Sequence, residues 1–124
     1  MGNPVVHFEV MGKDPAALQS FYRQAFEWEV GPLMGPEAQN YAIVSGVGER
    51  GIGGGIGGGM EGYDGHVTFY VAVDKLEDAL AKVESLGGKT MMPPDHVPGG
   101  PRIALCTDPE GHTIGLVQKD TMVM

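Results

Sequence analysis

Two stretches of this chain alternate apolar and polar positions at the period of a strand. Each then gives way to the period of a helix. Over residues 5–11, Val6, Phe8 and Val10 fall on one side and Val5, His7, Glu9 and Met11 on the other, because successive side chains of a strand point to opposite faces. Residues 65–74 set Val67, Phe69 and Val71 against His66, Thr68 and Tyr70 in the same way. The β-branched and aromatic side chains suit a pleated, half-buried strand. An aspartate closes each stretch, Asp14 and Asp74, and is the expected helix N-cap. The two histidines lie 59 positions apart and the two aspartates 60, so the second half reads as a copy of the first.

After Asp14, Pro15 suits the first helical position, and Leu18, Phe21, Tyr22, Ala25 and Phe26 form an apolar stripe. Residues 28–30 and 40–44 read as short strands, separated by a loop over residues 31–39. After Asp74, Leu76, Ala79, Leu80 and Val83 form a second stripe, ended by Gly87 and Gly88. A strand over residues 89–92 is expected to stop at Pro93 and Pro94, with a loop over 95–101. Residues 102–107 read as a strand, 108–111 as a turn with proline second, and 113–118 as the last strand.

Between the halves lies the glycine tract of residues 51–59. Gly53, Gly55 and Gly58 satisfy a GxGxxG pattern, but a dinucleotide-binding turn needs a helix directly after it, and here a linker and a strand follow. The tract is therefore expected to be a glycine-rich edge strand leading into the linker.

Each half thus reads strand-helix-strand-strand-strand, an α+β arrangement in which a helix stripe must bury against one sheet face. Phe8 and Val10 are expected to meet Leu18, Phe21 and Phe26. Val67, Phe69 and Val71 are expected to meet Leu76, Leu80 and Val83. The opposite faces carry the histidines, and two such curved sheets could join with those faces lining a shared cleft.

Composition narrows the function. The 124 residues fit a single domain, with one module over about residues 4–59 and the other over about 65–119. The formal net charge of −8 argues against nucleic acid and against an anionic membrane surface. The one cysteine, Cys106, permits no intrachain disulfide, and with no long apolar run and no signal pattern the cytoplasm is the expected compartment.

Four segments carry a resemblance. They are Val6-His7-Phe8-Glu9-Val10, the helix end from Phe21-Tyr22 to Phe26-Glu27-Trp28, His66-Val67-Thr68-Phe69-Tyr70-Val71, and the run from Asp108-Pro109-Glu110-Gly111 to Leu116. Through them the chain resembles the vicinal oxygen chelate superfamily, the glyoxalase, bleomycin-resistance and extradiol-dioxygenase proteins, over nearly its whole length. The resemblance implies two tandem βαβββ modules forming an open cup-shaped mixed sheet. In metal-using members each module supplies a ligand from its first strand, usually histidine, and one from its last, usually glutamate. His7 and His66 match the first-strand positions. The last-strand glutamates are absent: Gly115 stands in the second module, and the counterpart in the first falls within residues 53–55.

Two imidazoles supply at most half of a closed coordination sphere. Glu9 shares the face of His7 but lies about 7 Å along the strand, so a chelate from both is awkward. The expected function is therefore the binding of a small organic molecule, an antibiotic or a metabolite, in the inter-module cleft without a complete metal site. His7, Glu9, Tyr41, His66, Thr68 and Tyr70 are the expected ligand-binding residues. The alternative is a metal-dependent glyoxalase-like lyase or dioxygenase with His7 and His66 as ligands to a divalent metal. A third reading is metal-free acid–base catalysis with Glu9 as the base. His96 and His112 are expected to be solvated, Cys106 to be a small buried hydrophobe, and Met91 and Met92 to fill gaps. The resemblance and the exposed sheet edges point to a homodimer.

Overall fold

The computed structural model describes residues 2–32 and 40–122. The chain divides into two compact units, one of residues 7–67 and the other of residues 1–6 with 68–124. Each contains four strands in a mixed sheet and one helix, so the α+β class and the repeated βαβββ plan are both realised. Of the loop expected over residues 31–39, positions 33–39 lie outside the described residues.

The first unit runs β1 (Val5–Gly12), α1 (Pro15–Phe26), β2 (Glu29–Val30), β3 (Ala42–Ser45) and β4 (Gly54–Gly58). Its sheet order is β2-β3-β4-β1, with β4 parallel to β1 and antiparallel to β3. The glycine tract is thus an interior strand, not the edge strand its composition suggests. Its ladder bonds are satisfied on both sides, and its glycines admit neighbouring side chains. No helix follows it, which removes the dinucleotide reading.

Asp14 caps α1 as expected, its Oδ1 accepting from the Ala17 N–H at 3.1 Å, with Pro15 opening the helix. The buried face of α1, however, takes only Leu18 and Tyr22 from the expected stripe. Val10, Val44 and Ile56 form the core of this unit, with Phe8, Leu18, Tyr22, Trp28 and Val30 packed on it. Phe21 and Phe26 remain 58% and 56% exposed. The helix is instead turned so that Gln19, 4% exposed, donates its amide hydrogens to the carbonyls of Ile56 at 2.7 Å and Asn40 at 3.2 Å. Buried carbonyls need donors, and this amide meets two of them. The Tyr22 ring stacks on Trp28 at 5.6 Å between centroids, leaving Phe21 on the outer side.

The second unit runs β5 (His66–Val73), α2 (Leu76–Ser85), β6 (Lys89–His96), β7 (Arg102–Thr107) and β8 (Thr113–Gln118), in the order β5-β8-β7-β6. The N-terminal segment joins this unit, with the Ala72 N–H donating to the Pro4 carbonyl at 2.9 Å. Leu76, Leu80, Val73, Ala104, Cys106 and Leu116 form its main core, flanked by Val71 and Val83. Cys106 is the small buried hydrophobe expected, and burial, followed by the Asp108 charge, pushes its thiol pKa up.

Three expectations fail here. Phe69 is 43% exposed and Val67 more so, because a helix of 10 residues, roughly 15 Å long, cannot cover a strand of 8 residues, roughly 26 Å long. Asp74 is not the cap of α2. Lys75 occupies that position without a side-chain bond, Asp74 pairs with Lys119 at 3.5 Å, and the Leu76 N–H donates to Gln118 Oε1 at 3.3 Å. Finally, β6 does not stop at Pro93 and Pro94 but continues to His96. It is an edge strand, and its register shifts between Thr90 and Met92 and again between Met92 and Asp95 absorb the missing proline donors.

The turn at 108–111 forms as expected. The Gly111 N–H donates to the Asp108 carbonyl at 2.9 Å, and Asp108 Oδ1 accepts from the N–H groups of His112 at 3.0 Å and Glu110 at 2.9 Å. These bonds, the His112 backbone bond first, hold the Asp108 carboxyl below the usual carboxylate range. His112 is exposed and lies with its Nδ1 3.0 Å from Asp108 Oδ2. His96 is exposed at the end of β6.

Candidate functional site: a tyrosine–histidine–glutamate cluster

Alternation along β1 puts His7 and Glu9 on one face, away from the Val10 core. Glu9 is buried, 7% exposed, and a buried carboxylate needs partners. One partner comes from 57 residues away. His66 Nε2 lies 2.7 Å from Glu9 Oε2, with each side chain about 10% exposed. The other ring nitrogen of His66, Nδ1, is hydrogen-bonded to the phenol oxygen of Tyr63. Tyr63 stands in the linker between β4 and β5, three residues before His66, and is half-buried. Burial first, and then the Glu9 charge, raise its pKa, so the phenol keeps its proton.

His7 makes the same kind of contact. Its Nε2 lies 2.8 Å from the Tyr41 hydroxyl, and the two rings are near parallel, 19° apart. Burial lowers the His7 pKa, and the Glu9 charge opposes this in part. The repeat-related histidines therefore share one arrangement: each holds a tyrosine phenol.

A tyrosine ring lies over one glycine of the last strand in each unit. A Cβ on Gly55 would stand inside the Tyr41 ring. In the second unit, a Cβ on Gly115 would lie 2.6 Å from the Tyr70 ring. In register, Gly115 pairs with Tyr70, four residues after His66, and Gly57 pairs with Met11, four residues after His7.

Of the six residues expected to bind ligand, His7, Glu9, Tyr41 and His66 meet in the first unit. Thr68 and Tyr70 belong to the second. Thr68 donates its hydroxyl to the Thr113 carbonyl, and Tyr70 packs with Ala72 and Val117. The sequence reading missed Tyr63. Its one local signal is an aromatic residue flanked by Gly62 and Gly65 just before the histidine strand.

A divalent metal does not fit these residues as they stand. His66 has both ring nitrogens committed to Glu9 and Tyr63, and His7 holds Tyr41. Tyrosine rings occupy the space that last-strand side chains on Gly55 and Gly115 would use. Among the described residues, no group of three or more histidine, cysteine or acidic side chains is gathered as a metal site. None of the described helices is long and apolar enough to cross a membrane.

A model of the family described as Glyoxalase/Bleomycin resistance protein/Dioxygenase superfamily matches residues 5–116. Among curated proteins, "Putative glyoxylase CFP32" of Mycobacterium bovis is 31% identical over 108 residues, which is 85% of this chain and 41% of that protein. The protein of the same name from Mycobacterium tuberculosis matches equally. The chain therefore spans 41% of the length of these curated relatives. Among solved structures, hypothetical protein BH1468 from Bacillus halodurans C-125 aligns with a TM-score of 0.69 at 14% identity, covering 100% of this chain and 99% of that one. Methylmalonyl-CoA epimerase from Mycobacterium tuberculosis aligns with a TM-score of 0.65 at 13% identity, covering 92% and 86%. A superfamily member from Vibrio splendidus 12B01 aligns with a TM-score of 0.62 at 18% identity, covering 94% and 99%. At these identities the structural likeness is one of fold.

Proposed function

This chain belongs to the Glyoxalase/Bleomycin resistance protein/Dioxygenase superfamily, and from that membership we propose that it binds a small organic molecule through His7, Glu9, Tyr41 and His66 without a protein-held metal. The observation that carries this reading is the commitment of both histidines to side-chain partners, His66 to Glu9 at 2.7 Å and His7 to Tyr41 at 2.8 Å. These residues supply a few fixed polar groups, which is how small-molecule sites set orientation and specificity. The same contacts weigh against the metal-dependent lyase or dioxygenase alternative.

The Glu9–His66 contact also supports a second reading, acid–base catalysis with Glu9 as the base. A carboxylate oriented against an imidazole is a common proton-transfer pair.

A thermal-shift screen of aromatic antibiotics, catechols, aldehyde adducts and acyl thioesters, with and without chelator, tests the proposal. A ligand at 100 times its dissociation constant stabilises by about 2.7 kcal/mol. Hits that persist in chelator and vanish in Glu9→Ala or His66→Ala support metal-free binding. Hits that need added metal refute it. Turnover of a hit, lost in Glu9→Gln with binding kept, would favour the catalytic reading.

The proposal includes a homodimer. The exposed Phe21 and Phe26 of α1 support it, since soluble proteins seldom leave such aromatics uncovered together. Light scattering that finds only a 13.1 kDa species at micromolar concentration would refute it.

A further inference from the structure

We infer that Tyr63, His66 and Glu9 form one polarised hydrogen-bond chain whose outer end, the Tyr63 oxygen, accepts a hydrogen bond from the ammonium group of a small organic cation. The inference rests on the reading above that this cluster binds a ligand, and it names the chemistry of that ligand.

The direction of the chain follows from its inner end. An ionised carboxylate only accepts hydrogen bonds, so the Nε2 atom of His66, 2.7 Å from Glu9 Oε2, carries the proton. In the neutral ring the remaining nitrogen, Nδ1, then presents a lone pair, and the Tyr63 hydroxyl donates to it. Its own hydrogen committed inward, the Tyr63 oxygen offers lone pairs outward. Successive bonds in such a chain polarise one another and make that oxygen a better acceptor.

The surroundings favour a cation over a neutral donor. Glu9 is an anion buried with the chain, and its field reaches Tyr63. Glu61 and Asp64 flank Tyr63 in the linker, and only Asp64 has a cationic partner among the described residues, Lys13 at 3.3 Å. His66 and Glu9 are almost covered, so Tyr63 is the member of the chain that a ligand can reach. A hydrogen bond to a charged group is worth more than a neutral one and sharpens the preference for a charged donor.

Three probes that share one skeleton test this: 2-phenylethylammonium, 2-phenylethanol and phenylacetate, each titrated calorimetrically into the whole protein at neutral pH. The ammonium is expected to bind at least about tenfold more tightly than the alcohol, and the carboxylate most weakly. Tyr63→Phe keeps the ring and the nearby carboxylates and removes only the acceptor, so it is expected to reduce the preference for the ammonium severalfold. Nitrogen-15 NMR of the His66 ring reads the polarity without any ligand, and the expected state has the proton on Nε2 and none on Nδ1. A proton on Nδ1, a carboxylate preference, or an ammonium preference unchanged in Tyr63→Phe overturns the inference. If another molecule from the screen binds in a Glu9-dependent way while the ammonium does not, the ligand class is wrong and the binding reading stands. If nothing binds in a way that responds to Glu9→Ala or His66→Ala, both fail.

Discussion

The Tyr41 ring lies where a side chain on Gly55 would stand, and its hydroxyl reaches His7 at 2.8 Å. The glycine is therefore what allows the His7–Tyr41 pair to form. Gly55→Ala is expected to destabilise the protein by about 1–3 kcal/mol, the usual range for overpacking. In Tyr41→Ala the same glycine substitution should cost much less. A denaturant-melt double-mutant cycle measures the coupling, and additive effects would show that the ring and the glycine are not competing for one space.

The core assignment separates two apolar helix residues that look alike in sequence. Leu76 is fully buried and Phe21 is 58% exposed. Leu76→Ala should cost about 2–5 kcal/mol, and Phe21→Ala about 0.5 kcal/mol or less at concentrations where the chain is monomeric. Equal losses in urea melts of the monomer would mean that Phe21 belongs to the core of its own unit.

Gln19 is the polar residue that orients α1. Gln19→Leu keeps most of the volume but leaves the Ile56 and Asn40 carbonyls without its two donors. The expected cost is about 1–3 kcal/mol, the penalty for orphaned buried acceptors. A neutral or stabilising result would show that water serves those carbonyls equally well.

The first unit should also be sensitive to mild acid. Burial holds the His7 pKa below its ordinary value of 6.5, so the folded ring resists protonation that the unfolded chain accepts. Below that value the unfolded state binds more protons, and stability falls as pH drops from 6.5 towards the folded pKa. Melting temperatures recorded from pH 7.5 to 5 should decline across that window, and His7→Gln should flatten the decline. An unchanged slope in the variant would assign the effect to another group.

Cys106 should be silent to thiol reagents in the native protein. It is buried in the second unit's core, and the thiolate, the reactive form, is disfavoured by burial and by Asp108. Alkylation is expected only on unfolding, at the rate of global opening. Rapid labelling under native conditions would contradict the packing of β7.

What the sequence by itself determined is local and periodic. The strands at 66–73, 102–107 and 113–118 and the Asp14 cap follow from alternation and capping chemistry, because backbone geometry sets those periods wherever the chain lies. Alternation also placed His7 and Glu9 together on one face, and the repeat marked His66 as the counterpart of His7. The tertiary structure decided everything that depends on a distant neighbour. A period of 3.6 residues marks the stripe of α1 but not the face it buries, which the carbonyls of Ile56 and Asn40 settled through Gln19. Composition described the glycine tract as an edge, but pairing with both β1 and β3 made it interior. Glu9 and His66 are 57 residues apart, and no local pattern specifies their bond or the arrival of Tyr63 on the far side of the ring. Side-chain periodicity is a property of the backbone, whereas a hydrogen-bond partner is a property of the packed fold.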